Sequence, residues 1–443
     1  MKYIRNLYFS NTFWFTLLAL GLGFLIAFLF PVMFGFVKAA FVVFLATVVL
    51  DAVLLFRAKQ GVFARRDVPD RLSNGDPNPI TIYLQNNYGF TIKLDIVDEI
   101  PFQFQRRDVL FEARLVPNEN QLLRYELRPT KRGEYDFGAV NVFAQSPLKL
   151  LKRRYQFSQN KMVAVYPSFL QMRQYELMAI SNRLTELGIK KIRRIGHSME
   201  FEQIRPYVQG DDIRTLNWKA TARRNELMVN AFQDERSQAV YCLIDKGRVM
   251  QSPFEGLTLL DYAINATLVL SNIALLKQDK AGLLTFSEVI GQVVPAERKA
   301  GQMQKIMETL YKQKTRYLES DYETLYAHVR RNVRQRSLLL LFTNFETLNA
   351  LKRQLPYLRR LAKEHLLIVV FFENTETKEM LDTPAFDTEE VYQKVIAERF
   401  YYEKKRVVRE LRQYGIQSIL TPPQDLTANT VNKYLELKAR GMS

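Results

Sequence analysis

The sequence predicts a membrane-anchored multidomain chain: two transmembrane helices, an antiparallel β-sandwich of immunoglobulin-like type, and a doubly wound α/β domain. Three observations carry this. Residues 1 to 60 contain two long stretches almost free of charge, residues 61 to 160 alternate apolar and polar side chains in short runs, and residues 235 to 443 interleave wholly apolar runs with helical spacing. Residues 161 to 234, poor in apolar runs, read as a connector.

From Asn11 to Phe30 runs "NTFWFTLLALGLGFLIAFLF", without a single charge. At about 1.5 Å per residue such a helix crosses a hydrocarbon core of about 30 Å. A second apolar stretch, Met33 to Phe56, follows after Pro31 and Val32, so the two form a tight hairpin. Lys38 and Asp51 interrupt it near its ends, where a lysine can snorkel to the interface. The first stretch lacks a small-x-small cleavage site and another apolar segment follows at once, which argues against a signal peptide. Lys2 and Arg5 precede the hairpin, and Arg57, Lys59, Arg65 and Arg66 follow it. The positive-inside rule then places both chain ends in the cytoplasm, with the basic cluster beside anionic lipid.

Strings such as "ITIYLQN", "TIKLDIVDEI", "LLRYELRP" and "FGAVNVFA" place an apolar residue at every second position. Bounded by "SNGDPNP", "VPNEN" and "TKRGEYD", they read as half-buried antiparallel strands joined by turns. Their spacing suits a small immunoglobulin-like sandwich.

Beyond the connector the rhythm changes. "AVYCLID", "AGLLTFS", "IGQVVPA", "SLLLLFT", "LLIVVFFE" and "IQSILTP" are strands, with helices expected over Gly256 to Gln278, Lys299 to Lys312, Asp321 to Gln335 and Leu426 to Ala439. Strands that are apolar throughout and alternate with helices imply a parallel sheet covered on both faces. Such sheets bind ligands outside the carboxyl ends of their strands. The first strand ends at Asp245 and the central one at Thr343 and Asn344. No GxGxxG or GxxxxGK[ST] string is present, so neither a dinucleotide nor ATP has its usual phosphate cradle.

Lys and Arg number 63 against 46 Asp and Glu, a net charge of +17. This balance suits lipid headgroups, nucleic acid or an acidic protein. The one cysteine, Cys242, lies within an apolar strand and reads as a small core residue.

The order of these parts, with "DEIP" at Asp98 to Pro101, "PTKRGEYDFG" at Pro129 to Gly138 and "SPLKLL" at Ser146 to Leu151, resembles the bacterial family called domain of unknown function 58. Its most characteristic segment is matched by Glu202, Arg205, Tyr207, Gly210, Asp211, Asp212, Arg214, Asn217, Trp218, Ala222, Arg223 and Leu227. The resemblance runs from the hairpin to the last helix. It implies an α/β domain of the von Willebrand factor A type, and a protein that works with a MoxR-type AAA+ ATPase in assembling or activating clients.

Domains of that type commonly hold Mg²⁺ at a metal-ion-dependent adhesion site built from Asp-x-Ser-x-Ser, a threonine and an aspartate. Mg²⁺ takes six hard oxygens, one of which a partner carboxylate can supply. Here the first element reads Asp245, Lys246, Gly247, Arg248, Val249, so both serine hydroxyls are missing, and Asn344 stands for the aspartate. A metal, if bound, would have Asp245, Asp321 and Asn344 as ligands. The reading adopted is a degenerate site without a cofactor, where Asp245, Lys246 and Arg248 meet an acidic protein partner. The alternative is a Mg²⁺-dependent module capturing an acidic client loop.

"YVQGDDIRTLNWKATARR", Tyr207 to Arg224, invites three readings. Asp211 and Asp212 could serve as a general acid and base, or His197 as a proton carrier, but no nucleophile with a base is visible and His328 and His365 lie in regular elements. "KKIRRIGHS", Arg223, Arg224 and Trp218 could grip nucleic acid, yet the basic residues are mixed with acids and no known module is present. The reading adopted is structural: an aspartate caps a helix over "IRTLNWKATARR", Trp218 enters a core, and Arg205, Arg214 and Arg223 pair with Asp211, Asp212, Glu202 or Glu235. The chain is thus expected to be a non-catalytic assembly factor whose partners are membrane lipid, the ATPase and a client, and not nucleic acid.

Overall fold

The structure is a computed structural model that describes residues 6–106, 109–180, 199–209, 211, 213–234, 237–315, 317–382, 384 and 387–441. The chain divides into two compact units, Met1–Tyr166 and Pro167–Ser443.

In the first unit, strand β1 (Leu7–Phe9) leads into helix α1 (Asn11–Leu29) and, after a turn at Pro31–Met33, helix α2 (Phe34–Arg57). The hydroxyl of Ser10 caps α1 by accepting from the Phe13 amide at 3.4 Å. Both helices are long and apolar enough to cross a membrane, and many of their apolar side chains, such as Phe15, Phe28 and Phe36, are exposed. A helix apolar on all sides needs either a core or lipid around it.

Ten strands follow: β2 (Val62–Asp67), β3 (Arg71–Ser73), β4 (Asn78–Asn86), β5 (Ile92–Asp98), β6 (Leu110–Leu115), β7 (Asn120–Leu127), β8 (Gly133–Phe137), β9 (Val140–Gln145), β10 (Leu151–Phe157) and β11 (Lys161–Tyr166). They form sheets ordered β1-β10-β9-β5-β6, β2-β4-β7 and β3-β11-β8. Alternation works as expected along β4, where Ile80, Ile82 and Leu84 are fully buried. Pairing is antiparallel except between β3 and β11, which run parallel. Those two strands are far apart in sequence, so no hairpin constrains their direction.

The end of α2 is seated in this β region. Asp51, 0% exposed, accepts from the Ser146 hydroxyl and from the amides of Leu150 and Leu151 at 3.1 and 2.9 Å. Arg153 donates to the carbonyls of Leu55, Ala58 and Lys59, capping the helix's free carboxyl end. Asp51 is therefore a tie to the "SPLKLL" turn rather than an interruption of a membrane span.

The second unit begins with α3 (Phe169–Ile180), followed by β12 (Met199–Pro206), α4 (Trp218–Arg224) and β13 (Met228–Asp234), which pairs antiparallel with β12. Then come β14 (Ala239–Asp245), the short pair β15 (Pro253–Phe254) and β16 (Leu257–Thr258), α5 (Leu259–Leu276), β17 (Lys280–Phe286), β18 (Ile290–Glu297), α6 (Gln302–Tyr311) and α7 (Tyr322–Asn332). The chain ends with β19 (Leu338–Phe342), α8 (Leu348–Glu364), β20 (Leu366–Phe372), α9 (Thr375–Asp382), α10 (Thr388–Gln413), β21 (Gln417–Thr421) and α11 (Leu426–Ala439).

The six-stranded sheet has the order β18-β17-β14-β19-β20-β21, parallel except for the edge strand β18. Side chains of α5, α6 and α11 fill the core on one face, and those of α7, α8 and α10 fill the other. The wound α/β architecture read from the sequence is thus present. Helix α5 is also long and apolar enough for a membrane, but 83% of its apolar window is buried, so it is the central core helix.

Candidate functional site

Strand order reverses between β14 and β19, and the crevice outside their carboxyl ends is where wound sheets place ligands. Asp245 ends β14 and is 0% exposed. Its Oδ1 accepts from the Gly247 amide at 2.7 Å and from the Ser320 hydroxyl; its Oδ2 accepts from Thr343 Oγ1 at 2.7 Å and Tyr322 Oη at 3.2 Å. The Tyr322 and Thr343 oxygens also lie 2.7 Å apart, close enough for one hydroxyl to donate to the other in place of Asp245. Burial pushes the Asp245 carboxyl above the usual carboxylate range, against the pull of these donors. Burial and the adjacent carboxylate push the Tyr322 phenol well up.

Gly247 is required here. A Cβ on it would lie 2.1 Å from Ser320 Oγ and 3.0 Å from Asp245 Oδ1. The hydroxyl missing from position 247 is supplied to Asp245 by Ser320, from the loop before α7. That loop also uses Asp321, which caps α7 by accepting from the amides of Glu323 and Thr324 at 2.8 and 3.2 Å. Asn344 turns its Oδ1 to Lys404 Nζ, 3.1 Å away on α10.

Each of the three candidate ligands, Asp245, Asp321 and Asn344, is therefore engaged by protein donors. A Mg²⁺ ion needs several free oxygens in octahedral array, whereas both Asp245 oxygens face two donors each and Asn344 Oδ1 faces an ammonium. This donor set does not fit one. Among the described residues no group of three or more His, Cys, Asp or Glu could hold a metal.

Of the residues predicted to meet a partner, Arg248 is exposed and lies 3.7 Å from Glu319, also exposed. Lys246 is half-buried, and burial lowers its pKa. Asp245 lies beneath them and is closed to a partner. Ser320 and Tyr322 went unnoticed in the sequence, although they flank Asp321, and Thr343 was named only as an end of the central strand. Lys404 gave no signal in a charge-rich helix.

The segment of the family resemblance lies in the second unit. Arg205 pairs with Asp211 at 2.7 Å, as expected, and holds that carboxyl below its usual range. Asp211 also accepts from the Val208 amide at 3.0 Å, closing a turn. It does not cap the helix. α4 starts only at Trp218, where Asn217 Oδ1 accepts from the Ala220 amide at 3.0 Å and its Nδ2 donates to Asn230 at 2.8 Å. Trp218 does not enter a core: it is 69% exposed, no residue of the seven-residue α4 is buried, and the helix is tied to β13 by the Met228 amide, which donates to Thr221 Oγ1 at 3.0 Å. Tyr207 is held through its amide to Leu227 at 2.7 Å, and Arg223 is exposed. Gly210, Asp212, Glu235, His197 and the string "KKIRRIGHS" up to Ser198 lie outside the described residues, as do the side chains of Glu202 and Arg214.

The remaining titratable candidates of the sequence are Cys242, His328 and His365. Cys242 is buried, which pushes its thiol up to about 12. Burial lowers the pKa of His328 on α7 and of His365 at the start of β20.

The profile of the family described as Protein of unknown function DUF58 matches residues 203–387, so a domain of this family is present. A relative in Bacillus subtilis, the uncharacterized protein YeaD, is 29% identical over 184 residues, 40% of this chain and 45% of its own length. Among solved structures, the conserved hypothetical protein BatB of Bacteroides thetaiotaomicron aligns with 46% of this chain and 100% of its own, at 11% identity and a TM-score of 0.28. The CARDB domain of a Pyrococcus furiosus protein aligns with 24% of this chain and 86% of its own, at 16% identity and a TM-score of 0.17.

Proposed function

We propose that this chain is a non-catalytic, membrane-anchored protein-interaction factor that works with a MoxR-type AAA+ ATPase in the maturation or activation of client proteins. In this reading the second unit is a von Willebrand factor A-like domain with a degenerate adhesion site, the β region is an immunoglobulin-like sandwich, and the hairpin α1–α2 sits in a bacterial inner membrane with both chain ends in the cytoplasm. The observation that carries the reading is the exposure of apolar side chains on the segment around α4. Val208 is 60%, Ile213 69%, Trp218 69% and Leu227 49% exposed. Apolar residues gathered on one short segment, with an exposed tryptophan among them, suit a protein partner.

Support also comes from the network at Asp245, whose two carboxylate oxygens face Gly247, Ser320, Tyr322 and Thr343 and so turn inward rather than towards a partner. The segment thus changes role from internal strut to contact surface. The test is recovery of the full chain from membranes in mild detergent, with its partners identified by mass. An AAA+ ATPase that accompanies the parent chain but not a Trp218→Ser variant supports the proposal. Recovery of nucleic acid alone would sink it.

A further inference from the structure

Away from the Asp245 network, a cavity of about 280 Å³ opens over the carboxyl ends of β19, β20 and β21. Lys404 reaches it from α10. Its Nζ donates to Asn344 Oδ1 at 3.1 Å and to the Phe372 carbonyl. An ammonium carries three N–H donors, so one remains for the cavity. Glu346 and Glu373 also line the cavity, but among the described residues no carboxylate pairs directly with Lys404. Burial outweighs both of them and brings the Lys404 pKa down to about 8. A buried charge without a direct counter-ion is costly, and a ligand carboxylate would relieve it through a charge-assisted hydrogen bond.

The rest of the cavity defines the ligand further. Phe254, Leu259 and Leu420 give it apolar walls, and Phe400, 48% exposed, leaves one side open. An open side lets a chain run past while one side chain enters. Glu346, exposed, and Glu373, half-buried, make a negative rim that repels a doubly charged phosphate more strongly than a single carboxylate and favours a basic residue beside that carboxylate.

We propose that this cavity captures an extended peptide segment of a client through a single glutamate or aspartate carboxylate beside an apolar residue, with the Lys404 ammonium as its fixed cation. The proposal deepens the client-binding reading above and rests on it. Lys404 would do with an internal ammonium what a bound metal does in carboxylate capture elsewhere.

The test uses the full chain in detergent and purified probes, so its result does not depend on whether an ATPase or client is recovered from cells. The probes are acetyl-Phe-Glu-Lys-amide, the same peptide with Gln for Glu, 3-phenylpropionate and inorganic phosphate, followed by calorimetry near pH 7. The Glu peptide should bind about tenfold or more tightly than the Gln peptide, as a hydrogen bond to a charged group allows. That preference should disappear in Lys404→Met. Phe400→Ala, which leaves the ammonium's two internal bonds untouched, should weaken both peptides several-fold and decides the matter should Lys404→Met not fold. Equal binding of the two peptides, a preference that survives in folded Lys404→Met, unchanged affinity in Phe400→Ala, or phosphate or 3-phenylpropionate binding as tightly as the Glu peptide would each overturn the proposal.

Discussion

The carboxylate of Asp245 and the hydroxyl of Thr343 meet at 2.7 Å across β14 and β19, the two strands between which the sheet reverses its order. With Ser320 and Tyr322 they plug the crevice where a wound sheet usually receives its ligand. Asp245→Ala takes the acceptor from the Gly247 amide and the Ser320 hydroxyl and leaves Tyr322 and Thr343 only each other, and should cost about 2–4 kcal/mol. Asp245→Asn keeps the shape and one acceptor oxygen and should cost less. Hydrogen exchange of the β19 amides, Leu338 to Phe342, reads the effect locally. Unchanged protection in the alanine variant would contradict the network.

A metal that binds only the folded chain stabilises it by mass action, by about 2.7 kcal/mol at a hundred times its Kd. Because protein donors already occupy Asp245, Asp321 and Asn344, the melting of the full chain should not change on adding millimolar Mg²⁺ or Mn²⁺. A rise of several degrees, lost in Asp245→Asn, would instead favour the Mg²⁺-dependent module.

Two neighbouring residues of the family segment should behave in opposite ways. Asn217→Ala removes a helix cap and its bond to Asn230, and should lower stability by about 1 kcal/mol. Trp218→Ser touches an exposed side chain and should leave stability within about 0.5 kcal/mol. Thermal melting separates them. A large loss in the tryptophan variant would restore the expectation that it packs inside.

Sequence patterning revealed what burial alone decides. Period-two alternation located β4 and β5, and wholly apolar runs located β14, β19 and β20, because core-facing strands have few other ways to be written. It failed where partners come from afar. Nothing local distinguishes Asp211, which closes a turn, from Asn217, which caps α4. Ser320 fills the gap left at Gly247 from 73 positions away in sequence, and Lys404 finds Asn344 across the top of the sheet. Arg66 looked like part of a cationic surface cluster, yet it is buried in an ion pair with Asp98 that the Tyr125 hydroxyl completes.

Lys404 predicts an unusual pH dependence. Its pKa lies near 8 in the folded protein against the 10.5 of an ordinary lysine. Between these values the unfolded chain holds a proton that the folded chain has released, so stability rises with pH across that window. The gain is on the order of 3 kcal/mol at most, from about 1.4 kcal/mol per pKa unit. Denaturation at a series of pH values checks this. Lys404→Met should flatten the rise, and a parent profile that falls from about pH 8 to 10 would contradict a depressed pKa.

Asp51 should prove to be the joint between α2 and the β region. Its Oδ2 accepts from two backbone amides, Leu150 and Leu151, and its Oδ1 from the Ser146 hydroxyl. Alanine leaves all three donors buried, which should cost about 2–4 kcal/mol. Asparagine can keep its carbonyl oxygen on the two amides and turn its NH₂ to Ser146 Oγ, which accepts as readily as it donates. Its cost should stay near 1 kcal/mol. Hydrogen exchange at Leu150 and Leu151 in the full chain gives the readout, with fast exchange expected in Asp51→Ala and near-parental protection in Asp51→Asn. Equal exchange in both variants would mean that the turn holds its shape without the helix, and that Asp51 only fills space.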